Sequence, residues 1–466
     1  MASVYIETFG CQMNEADSQY IADRAASAGY VIARQPEEAN VLVLNTCTVR
    51  DNAERRAYGR MNHFKQLKDA DPTVRLVVMG CLAEQDRDRM RHLAPHVDAV
   101  FGTKELVQLS DQLAAWQPNF SESIDFSGDR ALMVPLGGTA DGVTSAFSHL
   151  RAFVNVQRGC SYYCTFCIVP HVRGRFDHRP LEAILEDVEA KIAGGAREVM
   201  LVGQTVNAWN DPAKRADFGD LCAAVGALPG LERLTFISPH PKDFTEKIVA
   251  DLAALPMLNP RVHLPLQSAS DRVLRRMNRK YTAAQFHEKV QLIERLLPGW
   301  AITTDLIVGF PGESDEDFER TLDYVRSGVF ANAFTFMYSI RRGTPAAHWE
   351  QVAPSVSAAR FAKLVDAQNA VTRGYHDAKV ATTVRALIAG PSKKDANKLA
   401  ARAPDNVTII ACKPDDYDEA VYAREPWLDV AIEKAAVWGC TGTIVGRART
   451  YAGARVRVQR PAISLL

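Results

Sequence analysis

Three cysteines crowd into Cys160-Ser161-Tyr162-Tyr163-Cys164-Thr165-Phe166-Cys167, directly after the strand-like run Phe153-Val154-Asn155-Val156. Their spacing is C-x3-C-x2-C. A 4Fe-4S cluster is usually held by four thiolates, so a loop that offers three leaves one iron open to a ligand that is not protein. Zinc is the competing reading, with His171 completing a Cys3His site, since thiolate and imidazole suit zinc as well. Ligand softness and spacing favour iron-sulfur.

A chain of 466 residues exceeds one ordinary core and predicts two to four domains. Hydrophobic and charged fractions of 47% and 24% are those of a globular protein and exclude a mainly disordered one. Met1-Ala2-Ser3 runs straight into Val4-Tyr5-Ile6 with no signal peptide, and no apolar run approaches a membrane span. A cytoplasmic protein with no membrane partner is the expectation. Nine cysteines, an odd number, point to metal or redox chemistry rather than a disulfide framework. The formal net charge is zero, so a polyanion must be met by local basic patches.

The segment 1–117 repeats one plan three times. Val4 to Gly10 ends at Cys11, Val41 to Thr46 ends at Cys47, and Arg75 to Gly80 ends at Cys81. Helix-like stretches lie between them, Ala16 to Ala28 closed by Gly29 and Val49 to Ala70 stopped near Pro72. Alternation at this spacing predicts right-handed crossovers and a parallel sheet, whose strands share one carboxyl edge where ligands bind. Cys11, Cys47 and Cys81 should converge there as a second three-thiolate site. A lone cysteine near a strand is most often a small buried hydrophobe, and Cys222, Cys412 and Cys440 are read as such packing residues.

Residues 118–148 read as a linker. From 149 to 375 strands and helices alternate, with strands expected at Phe153–Gln157, Glu198–Gly203, Arg233–Ile237, Arg261–Leu266, Ala301–Val308 and Ala333–Ser339. Six βα units predict a partial (βα)6 barrel coated by helices such as Leu181–Ala193, Phe244–Ala254 and Ala283–Leu296. Its mouth would carry Gly203-Gln204, Ser238-Pro239-His240-Pro241, Gln267-Ser268 and Gly309-Phe310-Pro311-Gly312. His240 reads as a hydrogen-bonded loop residue rather than a base. After Tyr375 short strands (Thr383–Ile388, Val407–Ala411, Leu428–Glu433, Gly442–Val445, Ala454–Val458) predict a small β-barrel over 376–447, with a basic tail at 448–466. Lys393, Lys394, Lys398 and Arg402 cluster between its first strands, and Arg447, Arg449, Arg455, Arg457 and Arg460 follow in the tail. Such clustering on a neutral chain suits phosphate contacts to RNA; the alternative is a solvated basic loop. The fold class is therefore α/β multidomain.

Several stretches resemble the radical S-adenosylmethionine (SAM) methylthiotransferases. They are Thr8-Phe9-Gly10-Cys11-Gln12-Met13-Asn14, Asn45-Thr46-Cys47-Thr48-Val49-Arg50, Gly80-Cys81, Arg158-Gly159-Cys160 through Pro170, Gly203-Gln204-Thr205-Val206-Asn207, His263 through Ser268, and Ile307 through Gly312. Gln12-Met13-Asn14 resembles the tRNA-2-methylthio-N6-dimethylallyladenosine synthase branch. The branches acting on threonylcarbamoyladenosine or a ribosomal protein aspartate usually differ there. Phe176-Asp177-His178-Arg179 departs from the branch pattern, as does Ala269 where Gly is common.

The resemblance implies that Cys160, Cys164 and Cys167 hold a 4Fe-4S cluster that binds and reductively cleaves SAM. Phe166, Gly203, Gln204, Ser238, Gln267 and Asp305 would line the SAM site. Cys11, Cys47 and Cys81 would hold an auxiliary 4Fe-4S cluster carrying the sulfur to be inserted at carbon 2 of isopentenylated adenosine 37 of tRNA, with two SAM used per product. The barrel resembles the TRAM domain, an RNA-binding module, to which Lys393, Lys394, Lys398 and Arg402 would contribute. Implied partners are tRNA, a low-potential electron donor such as flavodoxin or ferredoxin, and an iron-sulfur carrier, with the chain a monomer. A non-catalytic, zinc-bearing RNA-binding protein is the alternative from another class.

Overall fold

Along three early strands Val4, Ile6, Val41, Val43, Val77 and Met79 bury one face of a sheet, while Tyr5, Leu42, Leu44, Leu76 and Val78 bury the other. A sheet apolar on both faces needs helices on both, which is the situation of parallel strands. The computed structural model of the chain describes residues 2–48, 51–116 and 147–451. Most of the expected linker, and the expected strand at Ala454–Val458, lie outside them. The chain divides into two compact units, Met1–Ser161 with Ile168–Gln204, and Tyr162–Cys167 with Thr205–Leu466.

The first unit opens with β1 (Ser3–Thr8), α1 (Gln12–Ser27), β2 (Val31–Ile32), β3 (Val41–Thr46), α2 (Asp51–Ala70), β4 (Arg75–Gly80), α3 (Cys81–Gln85), α4 (Arg87–Leu93), β5 (Ala99–Phe101) and α5 (Leu106–Trp116). All strands run parallel in the order β2-β1-β3-β4-β5. Ile21, Ala22 and Ala25 of α1 and Leu106, Leu109 and Leu113 of α5 cover one face. Ala57, Met61 and Phe64 of α2 cover the other. In this doubly wound order the topological switch point lies between β1 and β3, where a crevice opens at the carboxyl edge.

The unit continues with β6 (Arg151–Asn155), β7 (Gln157–Arg158), α6 (Val169–Val172), β8 (Asp177–His178), α7 (Leu181–Ala193) and β9 (Glu198–Val202). Strands β6 and β9 pair in parallel. The single strand expected at Phe153–Gln157 is interrupted, because Gln157 and Arg158 turn to pair antiparallel with His178 and Asp177.

In the second unit come α8 (Phe218–Gly226), β10 (Arg233–Phe236), α9 (Glu246–Ala253), β11 (Arg261–His263), α10 (Asp271–Arg276), α11 (Ala283–Leu296), β12 (Ala301–Val308), α12 (Asp315–Arg326), β13 (Asn332–Met337) and α13 (Pro354–Asp377). Strands β11, β12 and β13 form a parallel sheet. Capping boxes fix the starts of α8, α11 and α12, where Asp217, Thr282 and Ser314 accept from the backbone three residues on and receive a side chain in return. The βα alternation expected between 149 and 375 is thus present.

The chain then forms β14 (Thr383–Ser392), β15 (Asp395–Arg402), β16 (Thr408–Cys412), α14 (Glu419–Arg424), β17 (Trp427–Ala436) and β18 (Gly439–Ala448), which close as a barrel in the order β14-β15-β16-β18-β17. A closed five-stranded barrel of this kind is OB-like. The stretch expected to be a basic loop is strand β15. Its Lys, Asn and Asp are poor strand formers, but Leu399 and Ala401 alternate into the barrel core and pairing on both sides overrides propensity. Cys222 and Cys440 are buried, as expected of packing residues. Cys412 is not one of them: the period-two alternation that buries Ile409 and Ala411 turns Cys412 outward, and it is exposed.

Candidate functional site

Within the first unit Cys11 follows β1, Cys47 follows β3 and Cys81 opens α3 after β4. Two of the three therefore straddle the switch point, and the third stands one strand further along the same edge. Glycines let the turns come close. A Cβ on Gly10, at φ 138°, would stand 2.7 Å from the Cβ of Cys47, and one on Gly80, at φ 100°, would strike the carbonyl oxygen of Thr46.

A buried amide network ties the turns together. Asn14 Nδ2 donates to Asn45 Oδ1 at 2.8 Å and to the Thr46 carbonyl at 3.0 Å. Asn45 Nδ2 donates to the Asn14 carbonyl at 2.8 Å and to Ser18 Oγ at 2.9 Å. The Cys11 thiol lies 3.5 Å from Asn14 Oδ1. Asn14 and Asn45 are fully buried, and a satisfied network of this kind fixes one geometry.

Beneath the thiols lies Arg173, with its side chain 3% exposed. Its Nε donates to Cys81 Sγ at 3.2 Å, and its terminal nitrogen pairs with Asp17 at 2.8 Å. Burial alone would weaken the guanidinium's hold on its proton, yet Asp17, Cys81 and Cys11 keep its pKa well above the ordinary value. Burial pushes the Cys81 thiol up, and Arg173 pulls it back. Nothing in the local sequence announces the pairing of Asp17 with Arg173, which are 156 residues apart.

Among the described residues, the only His, Cys, Asp or Glu group with ligand atoms all within 4.8 Å of one another is Asp217, Asp220 and Asp251. Lys247 already bridges those three, at 2.9, 3.1 and 2.9 Å. Cys11, Cys47 and Cys81 do not close to the spacing of about 3.8 Å that thiolates on one tetrahedral zinc require. A wider trio suits a cluster, in which each thiolate binds a different iron.

The eight-residue cysteine loop is divided between the units. Cys160 ends its part in the first, where its N–H donates to the Gly174 carbonyl at 3.0 Å. His171, which a Cys3His zinc site would need, is exposed. Gly203 is buried at the carboxyl end of β9. Next to it Gln204 Oε1 is buried with no hydrogen-bond partner, as are both side-chain atoms of Asn155 and of Gln157. The orphaned amide oxygen of Gln204, at the end of β9, fits a polar ligand such as SAM, which carries an ammonium to bind.

In the second unit Thr165 is pinned through N–H to the Met277 carbonyl (3.1 Å), through Oγ1 to the Arg276 carbonyl (2.8 Å), and through its own carbonyl to the Ala346 N–H (3.0 Å). Phe166 packs edge-on against Phe310, with centroids 6.3 Å apart. Arg279 donates to Cys164 Sγ at 3.4 Å, to the Tyr281 hydroxyl at 2.9 Å and to the Pro265 carbonyl at 3.3 Å.

His240 stacks on Tyr162 at 4.3 Å, and its Nδ1 accepts from the Lys242 N–H at 3.2 Å. Burial, then Arg279 and Lys242, push its pKa down to about 2, so the ring is neutral and its proton sits on Nε2. That Nε2 is buried without a partner. His240 is the loop residue expected, and it also presents a donor.

Ser238 and Gln267 hold left-handed backbone at φ 61° and 72°, a strained conformation that gathers at functional sites. Gln267 is locked by its N–H to the Asp305 carbonyl (2.8 Å) and its carbonyl to the Ile307 N–H (2.9 Å). Asp305 faces His263 Nε2 at 3.2 Å. His263, Arg279, Tyr281 and Arg173 were not singled out from sequence. Only the position of His263, at the end of a strand, was a usable signal.

The barrel's basic residues fall into two groups. Lys393 and Lys394 are exposed at the turn between β14 and β15. Lys398 pairs with Asp395 at 3.1 Å, and Arg402 donates to Thr408 Oγ1 at 2.9 Å. Arg447 and Arg449 both meet Glu425. Arg455, Arg457 and Arg460 lie outside the described residues.

Residues 3–102 match the uncharacterized protein family UPF0004, and residues 154–325 match the radical SAM superfamily. The tRNA-2-methylthio-N(6)-dimethylallyladenosine synthase of Acidothermus cellulolyticus is 43% identical over 86% of this chain and 81% of its own length. That of Parafrankia sp. (strain EAN1pec) is 39% identical over 99% of this chain and 97% of its own. The chain belongs to this synthase family. A solved structure of the radical S-adenosylmethionine methyltransferase TsrM from Kitasatospora setae, with cobalamin and a [4Fe-4S] cluster bound, superposes with a TM-score of 0.52 over 74% of this chain and 77% of that one. At 14% identity it shares the fold. Among the described residues no helix is long and apolar enough to cross a membrane.

Proposed function

We propose that the chain is a radical SAM methylthiotransferase that inserts a methylthio group at carbon 2 of N6-isopentenyladenosine 37 of tRNA, working as a cytoplasmic monomer. The observation that carries this reading is the gathering of Cys11, Cys47 and Cys81 at one sheet edge, in a chain that also carries the C-x3-C-x2-C loop. Two sets of three thiols call for two 4Fe-4S clusters, each with one iron open. An aromatic C–H is too weak an acid for a side-chain base, and a cluster with SAM supplies the one-electron chemistry that replaces proton transfer.

The protein's own residues bind and orient. Cys160, Cys164 and Cys167 hold one cluster, and Cys11, Cys47 and Cys81 hold the auxiliary one that carries sulfur. Gly203, Gln204 and the Nε2–H of His240 meet the polar groups of SAM, with Phe166 as an apolar wall and Ser238, Gln267 and Asp305 shaping the strand ends. Lys393, Lys394, Lys398 and Arg402 contact tRNA phosphates without reading bases, and the target base is splayed from its stack to react. Two SAM are used per product. A low-potential donor such as flavodoxin or ferredoxin supplies electrons, and an iron-sulfur carrier supplies clusters.

Anaerobically purified protein should contain about eight irons per chain, as two 4Fe-4S clusters require. Cys164→Ala should abolish SAM cleavage, whereas Cys47→Ala should keep cleavage and lose methylthio product, read by mass spectrometry of nucleosides from isopentenylated anticodon stem-loop. A Cys47→Ala protein that still forms product over many turnovers would defeat the division of labour. Zinc in place of iron would defeat the activity.

A further inference from the structure

Beside the auxiliary cysteines the first unit contains a cavity of about 280 Å³ lined by Thr103, Lys104, Arg158, Arg173, Arg175 and Asp177, with Gly174 in its wall. Four cations face one carboxylate in a chain whose formal net charge is zero. Arg173 is neutralised by Asp17, so it forms a wall and adds no net charge. Neither Lys104 nor Arg158 takes part in an ion pair among the described residues. A Cβ on Gly174 would meet Lys104 Cε at 3.4 Å and Nζ at 3.7 Å, so the lysine lies along the cavity wall.

The frame around these charges is rigid. Thr103 Oγ1 donates to the Val172 carbonyl at 2.5 Å on one side, and Arg158 pairs with Asp177 in the β7–β8 ladder on the other. Excess positive charge beside a backbone held in this way, with room for a tetrahedral anion, suits a phosphate. One wall is the arginine that bonds Cys81, so an anion here would lie close to the auxiliary thiols.

We infer that this cavity binds a backbone phosphodiester of the RNA substrate and so registers the anticodon arm against the auxiliary cysteines. The inference rests on the reading that the chain acts on tRNA. The contact is to phosphate and carries no base information.

Binding of fluorescent anticodon stem-loop to the reconstituted full chain, titrated between 50 mM and 200 mM salt, tests it. Lys104→Ala should weaken binding and reduce the slope of log K against log salt by roughly 0.7 to 0.9, one phosphate contact. Adding Arg175→Ala should weaken binding further while the slope falls by no more than that one phosphate, equally for isopentenylated and unmodified stem-loops. Both side chains are exposed, and matched melting temperatures would show that the variants fold. If wild type binds and the variants keep its affinity and slope, the site is refuted while the activity stands. If wild type does not bind RNA, the tRNA reading itself has failed. If inorganic phosphate at matched ionic strength displaces RNA from neither protein yet stabilises wild type alone against heat, the cavity takes a free anion and the inference is wrong.

Discussion

Each unit places an arginine against a cysteine sulfur, but the two arrangements differ in what balances the charge. Arg173, sealed in the first unit, reaches Cys81 while its other end pairs with the equally buried Asp17. Arg279, in the second, reaches Cys164 with only a hydroxyl and a carbonyl as further partners, and among the described residues it forms no ion pair. The first guanidinium is half of a neutral pair, and a neutral pair mainly fixes geometry. The second keeps a net positive charge, partly exposed, beside a sulfur that iron binding makes negative. One arginine holds a site together, and the other tunes one.

The largest effect should come from breaking the neutral pair. Arg173→Met leaves Asp17 buried and uncompensated, and should destabilise the protein by about 3–5 kcal/mol in denaturant melts. Asp17→Asn in the same background should recover much of that loss. If single and double variants melt alike, the pair is not what the first unit depends on. Arg279→Met orphans no buried charge, so its stability should change little. Instead, redox titration of the cluster proposed for Cys160, Cys164 and Cys167 should show a potential lower by on the order of 60 mV, about tenfold in the one-electron equilibrium. An unchanged potential would erase the contrast.

The smallest effect concerns His240, whose protonation burial opposes with help from Arg279 and Lys242. Its folded pKa of about 2 lies below the unfolded value near 6.5, so the unfolded chain takes up a proton that the native one refuses. The stability tied to the neutral ring is complete above pH 6.5 and falls as pH drops, by at most about 1.4 kcal/mol per pH unit. His240→Phe keeps the stack on Tyr162 and should flatten melting temperature against pH between 6 and 4. A slope equal to that of wild type would assign the acid sensitivity to other groups.

Much of this was legible before any fold was known. Cysteines at the ends of three apolar runs marked a shared edge, because a parallel sheet collects its carboxyl ends on one side. Of the three outer helices that the periodicity predicts, two, Leu181–Ala193 and Ala283–Leu296, have the expected bounds. Strand β15 was missed because local propensity opposed it. Within the basic cluster, Lys398 also pairs with Asp395 and Arg402 also donates to Thr408, contacts that local sequence does not announce.

Residue order along the chain was enough to place three cysteines on one sheet edge, since the alternation of strand and helix is a local property that survives without a fold. It could not say which charges meet. Asp17 with Arg173, Cys164 with Arg279 and His263 with Asp305 are joined across 156, 115 and 42 positions. Pairs so distant form only when packed elements bring them into one low-dielectric space, so tertiary structure decided how each sulfur is held.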